Sequence, residues 1–195
     1  MKRKLKLYLA HTLETRNEIR AIELAIEKEF DIELYNPFYD NPNRDDISDI
    51  DAGRQTRYDF TMKQCEGIVD RDLNAIDDCH GIIAIFLDSP SIGTSFEIAY
   101  ARQTGKIIFF ISEKDLNHPW IKVYTDYRFK NIDEFKIFLK YYKFNPIIFN
   151  LKRKYKVIQS AYMILKIGIS NQIPKLKKIR KRNRVSKSDD FNTVK

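Results

Sequence analysis

Two stretches, Gly81-Ile82-Ile83-Ala84-Ile85-Phe86-Leu87 and Lys106-Ile107-Ile108-Phe109-Phe110-Ile111-Ser112, decide the architecture. Each is apolar almost throughout, rich in isoleucine and phenylalanine, and too short for a buried helix. Such runs read as strands covered on both faces, the signature of a parallel sheet. Between them, Ser91–Gly105 reads as a loop and a helix, with Gly105 as the residue that ends it. A helix joining two doubly covered strands implies a parallel, right-handed crossover.

The pattern continues in both directions. A helix is expected from about Lys63 to Asp78, just before the first of these strands. Lys4–Ala10 alternates and then runs apolar, which predicts a strand entering the sheet. Residues 13–30 carry Ile19, Ile22, Ala25, Ile26 and Phe30 at helical spacing. That helix starts either on Thr12 as N-cap or one turn later on a Thr15/Glu18 capping box. Asp31–Tyr35 is a second short strand, ended by Asn36-Pro37. Residues 36–60 are polar, acidic and too long for an ordinary connection, so an active-site or interface loop is expected there. After a loop containing Pro119 and Trp120, Thr125–Phe129 reads as an edge strand and Ile132–Tyr142 as an amphipathic helix. The prediction is a three-layer α/β sandwich with a mainly parallel five-stranded sheet. Ligands in such sheets lie at the carboxyl ends of the strands, which gathers the segments after Ala10, Leu87 and Ser112 around one crevice.

Composition narrows the classes. With 43% hydrophobic and 13% aromatic residues, the 195-residue chain is not disordered wholesale. No apolar run reaches the 18 or so residues of a membrane span. The basic start Met1-Lys2-Arg3-Lys4 is followed by too short an apolar stretch for a signal peptide. Cys65 and Cys79 make no disulfide framework, and no Cys/His cluster has zinc spacing, so a reducing, cytoplasmic setting is expected. The net charge of +8 is unevenly spread: residues 151–195 hold 14 Lys/Arg against 2 Asp/Glu, and the rest of the chain is net acidic.

These counts suggest a domain over 1–150 and an extension over 151–195. Leu151, Tyr155, Ile158, Tyr162, Leu165 and Ile169 form one apolar stripe of a helix, and Pro174 breaks it. Lys175–Arg184 then packs seven basic residues into ten. Three readings of this tail stand: polynucleotide phosphates, an anionic membrane surface, or a helix packed on its own body or a sister subunit with a solvated basic end. The last is preferred.

The chemistry concentrates in three places. Glu97 sits early in a helix, just past the Ser91-Ile92-Gly93-Thr94-Ser95 loop, among apolar neighbours. The helix dipole favours a carboxylate there, and an ordinary first-turn acid fits as well. The same loop suits a phosphate through hydroxyls and backbone N–H groups, or is a plain N-cap. Asp72, on the preceding helix, is either functional or a solvated helix acid. Tyr8, near the end of the first strand, is either a site residue or a half-buried aromatic. Asp45, Asp46, Asp49 and Asp51 are scattered acids on a solvated loop rather than a magnesium site, so no metal and no cofactor is expected.

Together, Tyr8-Leu9-Ala10, the RDLNAI stretch around Asp72, and Gly93, Glu97, Ile98, Ala101, Gly105 and Lys106 in order resemble the nucleoside 2-deoxyribosyltransferase family over residues 4–140. The resemblance implies a flavodoxin-like sandwich that breaks the N-glycosidic bond of a deoxynucleoside or deoxynucleotide. It implies Glu97 as nucleophile on C1′, Asp72 near the departing base, and Tyr8 orienting Glu97. Where transferases of free nucleosides carry Asp residues before the glycine, this chain has Ser91-Ile92. That loop is similar to the 2′-deoxynucleoside 5′-monophosphate N-hydrolase branch, whose serine contacts the phosphate. Ser91, Gly93 and Thr94, with Ala10, His11 and Thr12 after the first strand, are then expected to bind substrate. The chain departs from that branch in having His11-Thr12-Leu13-Glu14 where a Gly-Ser-Ile-Arg stretch stands. The resemblance also implies a homodimer or larger homo-oligomer, with His118 reaching a neighbour's site; a plain loop histidine is the blander reading.

Overall fold

The computed structural model describes residues 4–41, 45–54, 56, 59–87, 90–143, 145, 154–155 and 158. The chain divides into two units, Met1–Lys154 and Tyr155–Lys195, and the sheet belongs to the first. The apolar stripe beyond Ile158, Pro174 and the basic cluster lie outside the described residues.

Five strands form one sheet: β1 (Leu5–Ala10), β2 (Ile32–Tyr35), β3 (Gly81–Phe86), β4 (Ile107–Ser112) and β5 (Tyr127–Phe129). Their order is β2-β1-β3-β4-β5, and every pairing is parallel. All six residues of β3 and of β4 are buried, as double coverage demands. One face packs Leu5, Leu7, Leu9, Ile83, Phe109 and Ile111 against Ile19 and Ile26 of α1 (Arg16–Glu29) and Phe135 and Leu139 of α6 (Ile132–Tyr141). The other face packs Tyr8, Ala10, Ile82, Ala84, Ile108 and Phe110 against Ile76, Ile98 and Ala101. Those three belong to α3 (Met62–Asp78) and α4 (Ile92–Gln103). The three layers and the flavodoxin-like topology are therefore as expected.

Local signals set the element ends. A complete capping box, Thr61 with Gln64, starts α3. At α1 the N-cap is Thr15, but no side chain caps it, and Thr12 Oγ1 accepts from Thr15 N instead. Gly105 follows α4 with φ of 73°, a conformation that favours glycine. Within residues 36–60 a short α2 (Asp45–Asp51) interrupts the acidic loop, and α5 (Pro119–Tyr124) replaces the expected loop around Trp120. Gly81 is required by contact: a Cβ there would lie 2.4 Å from the Ile107 carbonyl oxygen. Lys106, fully buried, donates from Nζ to the carbonyls of Asp77 and, at 2.8 Å, of Cys79. It thereby caps the carboxyl end of α3 and anchors that helix to the start of β4. No helix among the described residues is long and apolar enough to cross a membrane.

Candidate active site

Tyr8 and Glu97 meet across 89 positions of sequence. β1 points Tyr8 to the α3/α4 face, where its side chain is fully buried. Its Oη donates to Glu97 Oε1 at 2.7 Å. Glu97 lies on α4 one turn after its start, on a residue that keeps partial exposure. Burial pushes its carboxyl up to about 8; the Tyr8 hydrogen bond pulls it down, and the negative charge of Asp72 pushes it up again. The Tyr8 phenol is raised well above its ordinary value, first by burial and then by Glu97 and Asp72. Asp72, on α3, therefore acts electrostatically on both partners, and Arg71 Nε lies 3.6 Å from its Oδ1. The Tyr8–Glu97 bond and the Asp72 charge that acts on both bring together the three residues expected to carry catalysis.

Two further neighbours join them. Tyr35, at the end of β2, stacks on Tyr8 with ring centroids 6.0 Å apart and planes 19° from parallel. Its phenol is raised first by burial and then by Asp72, while Arg71 opposes. Only strand order brings Tyr35 beside Tyr8, so local pattern carries no sign of it. Arg71 is the first residue of the RDLNAI stretch, and its adjacency to Asp72 was legible.

The α4 start is built as an N-cap. Ser91 Oγ accepts from Thr94 N, and Ser95 Oγ donates to Ser91 O. Thr94 is 1% exposed, and its Oγ1 has no hydrogen-bond partner among the described residues. Gly93 is exposed, and a Cβ there would meet only Ser91 Oγ at 3.8 Å. Ala10 is buried at the tip of β1, paired with Ala84. Thr12 Oγ1 lies 3.2 Å from Thr15 Oγ1, and His11 is buried with its ring against Thr12 O, Asn36 and Phe38. His118 is exposed, preceding α5 as its N-cap residue. It lines a groove of about 380 Å³ with Phe86, Ser95, Phe96, Asp115 and Trp120, a lining that includes none of Tyr8, Asp72 and Glu97. No cluster of three His, Cys, Asp or Glu suited to a metal occurs among the described residues.

The fold has solved counterparts. A 2-deoxyribosyltransferase from Bacillus psychrosaccharolyticus superimposes with a TM-score of 0.51 at 14% identity, over 71% of this chain and 93% of that one. The chain has the fold of that transferase. A CMP N-glycosidase from Clostridium botulinum, BcmB, superimposes with a TM-score of 0.45 at 20% identity, over 71% of this chain and 99% of that one. No protein-family model matches the sequence. No curated protein matches it either.

Proposed function

We propose that the protein cleaves the N-glycosidic bond of (2′-deoxy)nucleoside 5′-monophosphates through a covalent glycosyl-Glu97 intermediate and releases the free base. The observation that carries this reading is the Tyr8–Glu97 hydrogen bond, with the charge of Asp72 acting on Glu97. Tyr8 occupies Oε1, so Oε2 is the oxygen that faces C1′. That oxygen bonds to C1′ as the C1′–N bond breaks and its electron pair leaves with the base. The base takes a proton from the Asp72 carboxyl, because a neutral base departs more easily than an anion. Water then displaces Glu97 at C1′ and returns a proton to Asp72. Membership in the nucleoside 2-deoxyribosyltransferase family, implied by the motifs, is supported by the shared fold.

The 5′-phosphate is assigned to the start of α4. Ser91 and the buried hydroxyl of Thr94, unpartnered among the described residues, stand at a helix N-terminus, where backbone N–H groups and the dipole favour an anion. Ala10, His11 and Thr12 flank the same crevice from the end of β1. Residues 1–150 would then form the catalytic domain, and the basic extension would take no part in the chemistry. Assembly into a homodimer or larger oligomer would bring His118 toward a neighbour's crevice. The exposed Phe96 and Trp120 beside it, 71% and 66% accessible, are the apolar surface such a contact would cover. A reducing, cytoplasmic setting suits the two free cysteines.

The test is to incubate the protein with deoxynucleosides and their 5′-monophosphates, with and without an acceptor base, and follow free base. Release from monophosphates without acceptor supports this reading. Turnover only with an acceptor base would make the protein a deoxyribosyltransferase. Tight binding without turnover would make it a non-catalytic nucleotide-binding module.

A further inference from the structure

We propose that Glu23 is a positioning residue for the mouth of the crevice: through Asn36 it holds the His11 ring and so ties together the segments that leave β1 and β2. Glu23 lies on α1, on the sheet face opposite Glu97, and is the one acidic side chain fully buried among the described residues, at 1% exposure. Its Oε2 accepts from Asn36 Nδ2 at 2.7 Å, and its other oxygen accepts from Arg20. Asn36 is itself fully buried, one residue beyond β2. Its Oδ1 accepts from Phe38 N at 3.1 Å, and its backbone N donates to Asp40 Oδ2 at 2.7 Å. The Phe38 bond and the Glu23 bond together fix which way the amide points.

His11 completes the chain one residue beyond β1. Its Nδ1 faces Thr12 O at 3.0 Å, and its Nε2 faces Asn36 Oδ1 at 3.4 Å. A carbonyl oxygen only accepts, so each bond needs a proton on the ring nitrogen that makes it. Burial lowers the His11 value against the pull of its Thr12 and Asn36 bonds, so the neutral ring donates to one of the two oxygens at a time, Nδ1–H to Thr12 O or Nε2–H to Asn36 Oδ1. Burial of a carboxylate in this position is costly, and an apolar residue would pack α1 more cheaply. What the carboxylate adds is a directed link between the exits of two adjacent parallel strands, where ligands bind in such sheets. Burial also pushes Glu23 up to about 7, which places it within reach of neutral pH.

The activity arm of the test rests on the proposed function; a second arm does not. Asn36→Asp sets a carboxylate against that of Glu23, and adding Glu23→Gln restores one bond with its direction reversed, the glutamine amide now donating. We expect Asn36→Asp to raise KM for a nucleoside monophosphate about 10-fold with kcat within about 2-fold, and the double variant to return KM to within about 3-fold of wild type. Ile26→Val, which loosens α1 without touching the chain of bonds, should leave KM unmoved. The ring ¹⁵N shifts of His11 should move in Asn36→Asp and return in the double variant, with no substrate present. An unmoved KM, an unrescued double variant, or unmoved His11 signals would overturn the proposal. If wild type turns over nothing, the proposed function fails and the His11 signals alone decide this one. Should Asn36→Asp not fold, Glu23→Ala cuts the same bond and must raise KM and shift the His11 signals.

Discussion

Tyr8 and Tyr35 stand opposite each other in register on β1 and β2, and their rings stack 6.0 Å apart while only Tyr8 reaches Glu97. Tyr35 thus backs the ring that holds the carboxylate. Tyr35→Ala removes that support and opens space beside Tyr8. We expect activity to fall about 10-fold, in line with an aromatic contact of roughly 1 kcal/mol, while Tyr35→Phe keeps most of it. Steady-state rates of base release on both variants check this.

Loss of the nucleophile should be far more severe. Glu97→Gln keeps the shape and an acceptor for Tyr8 but forms no glycosyl ester, so kcat should fall about 10³-fold or more. Asp72→Asn removes the proton donor, and about 10²-fold is expected, with the smallest loss on substrates whose base leaves readily. Trapping of a glycosylated peptide containing Glu97 by mass spectrometry separates the two roles.

The pH dependence of the rate is set by the same pair. Attack needs the carboxylate of Glu97, which is raised to about 8, and departure of the base needs the proton on Asp72. So kcat/KM should climb with pH through the Glu97 titration and fall again where Asp72 is ionised, a bell-shaped profile. The Tyr8 hydrogen bond lowers the Glu97 value, so Tyr8→Phe should move the rising limb to higher pH as well as lower the maximum. A profile that rises toward acid instead would remove Glu97 as the attacking group.

Stability should run opposite to the rising limb. Glu23 and Glu97 titrate near 7 and 8 in the folded chain, against about 4.3 when unfolded. Between those values the folded state binds more protons than the unfolded one, so stability falls as pH rises. Their contribution is fully present below about pH 4.3 and is lost through about 7 for Glu23 and about 8 for Glu97. Thermal unfolding from about pH 4.3 to 8 should show this decline, and Glu23→Gln should flatten its lower part.

Lys106→Met tests the buried clamp on α3. The side chain fits, but the carbonyls of Asp77 and Cys79 lose a buried cationic donor. A cost of about 1–3 kcal/mol is expected. Chemical denaturation reads that loss directly.

Much of this was legible from residue order because the signals were local. β3 and β4 declared themselves by unbroken apolar runs, and Glu97 by sitting just past a Ser/Gly/Thr loop. Capping chemistry at α1 and α3 was not legible: the Thr15/Glu18 box expected at α1 does not form, and the Thr61/Gln64 box that starts α3 went unread. Missed were α2, α5 and Tyr35. The first two are single short turns whose composition resembles loops, and the third matters only through its neighbour.

By itself, then, the sequence determined the layers, the strand count and the carboxylate at the α4 start, since hydrophobic period and helix-end chemistry act over a few residues. Tertiary structure alone decided that β1 lies between β2 and β3. That order sets Tyr35 beside Tyr8, Tyr8 beneath Glu97, and Glu23 against Asn36. Burial then did what no local pattern encodes: it stripped water from two carboxyls and pushed both toward neutral pH.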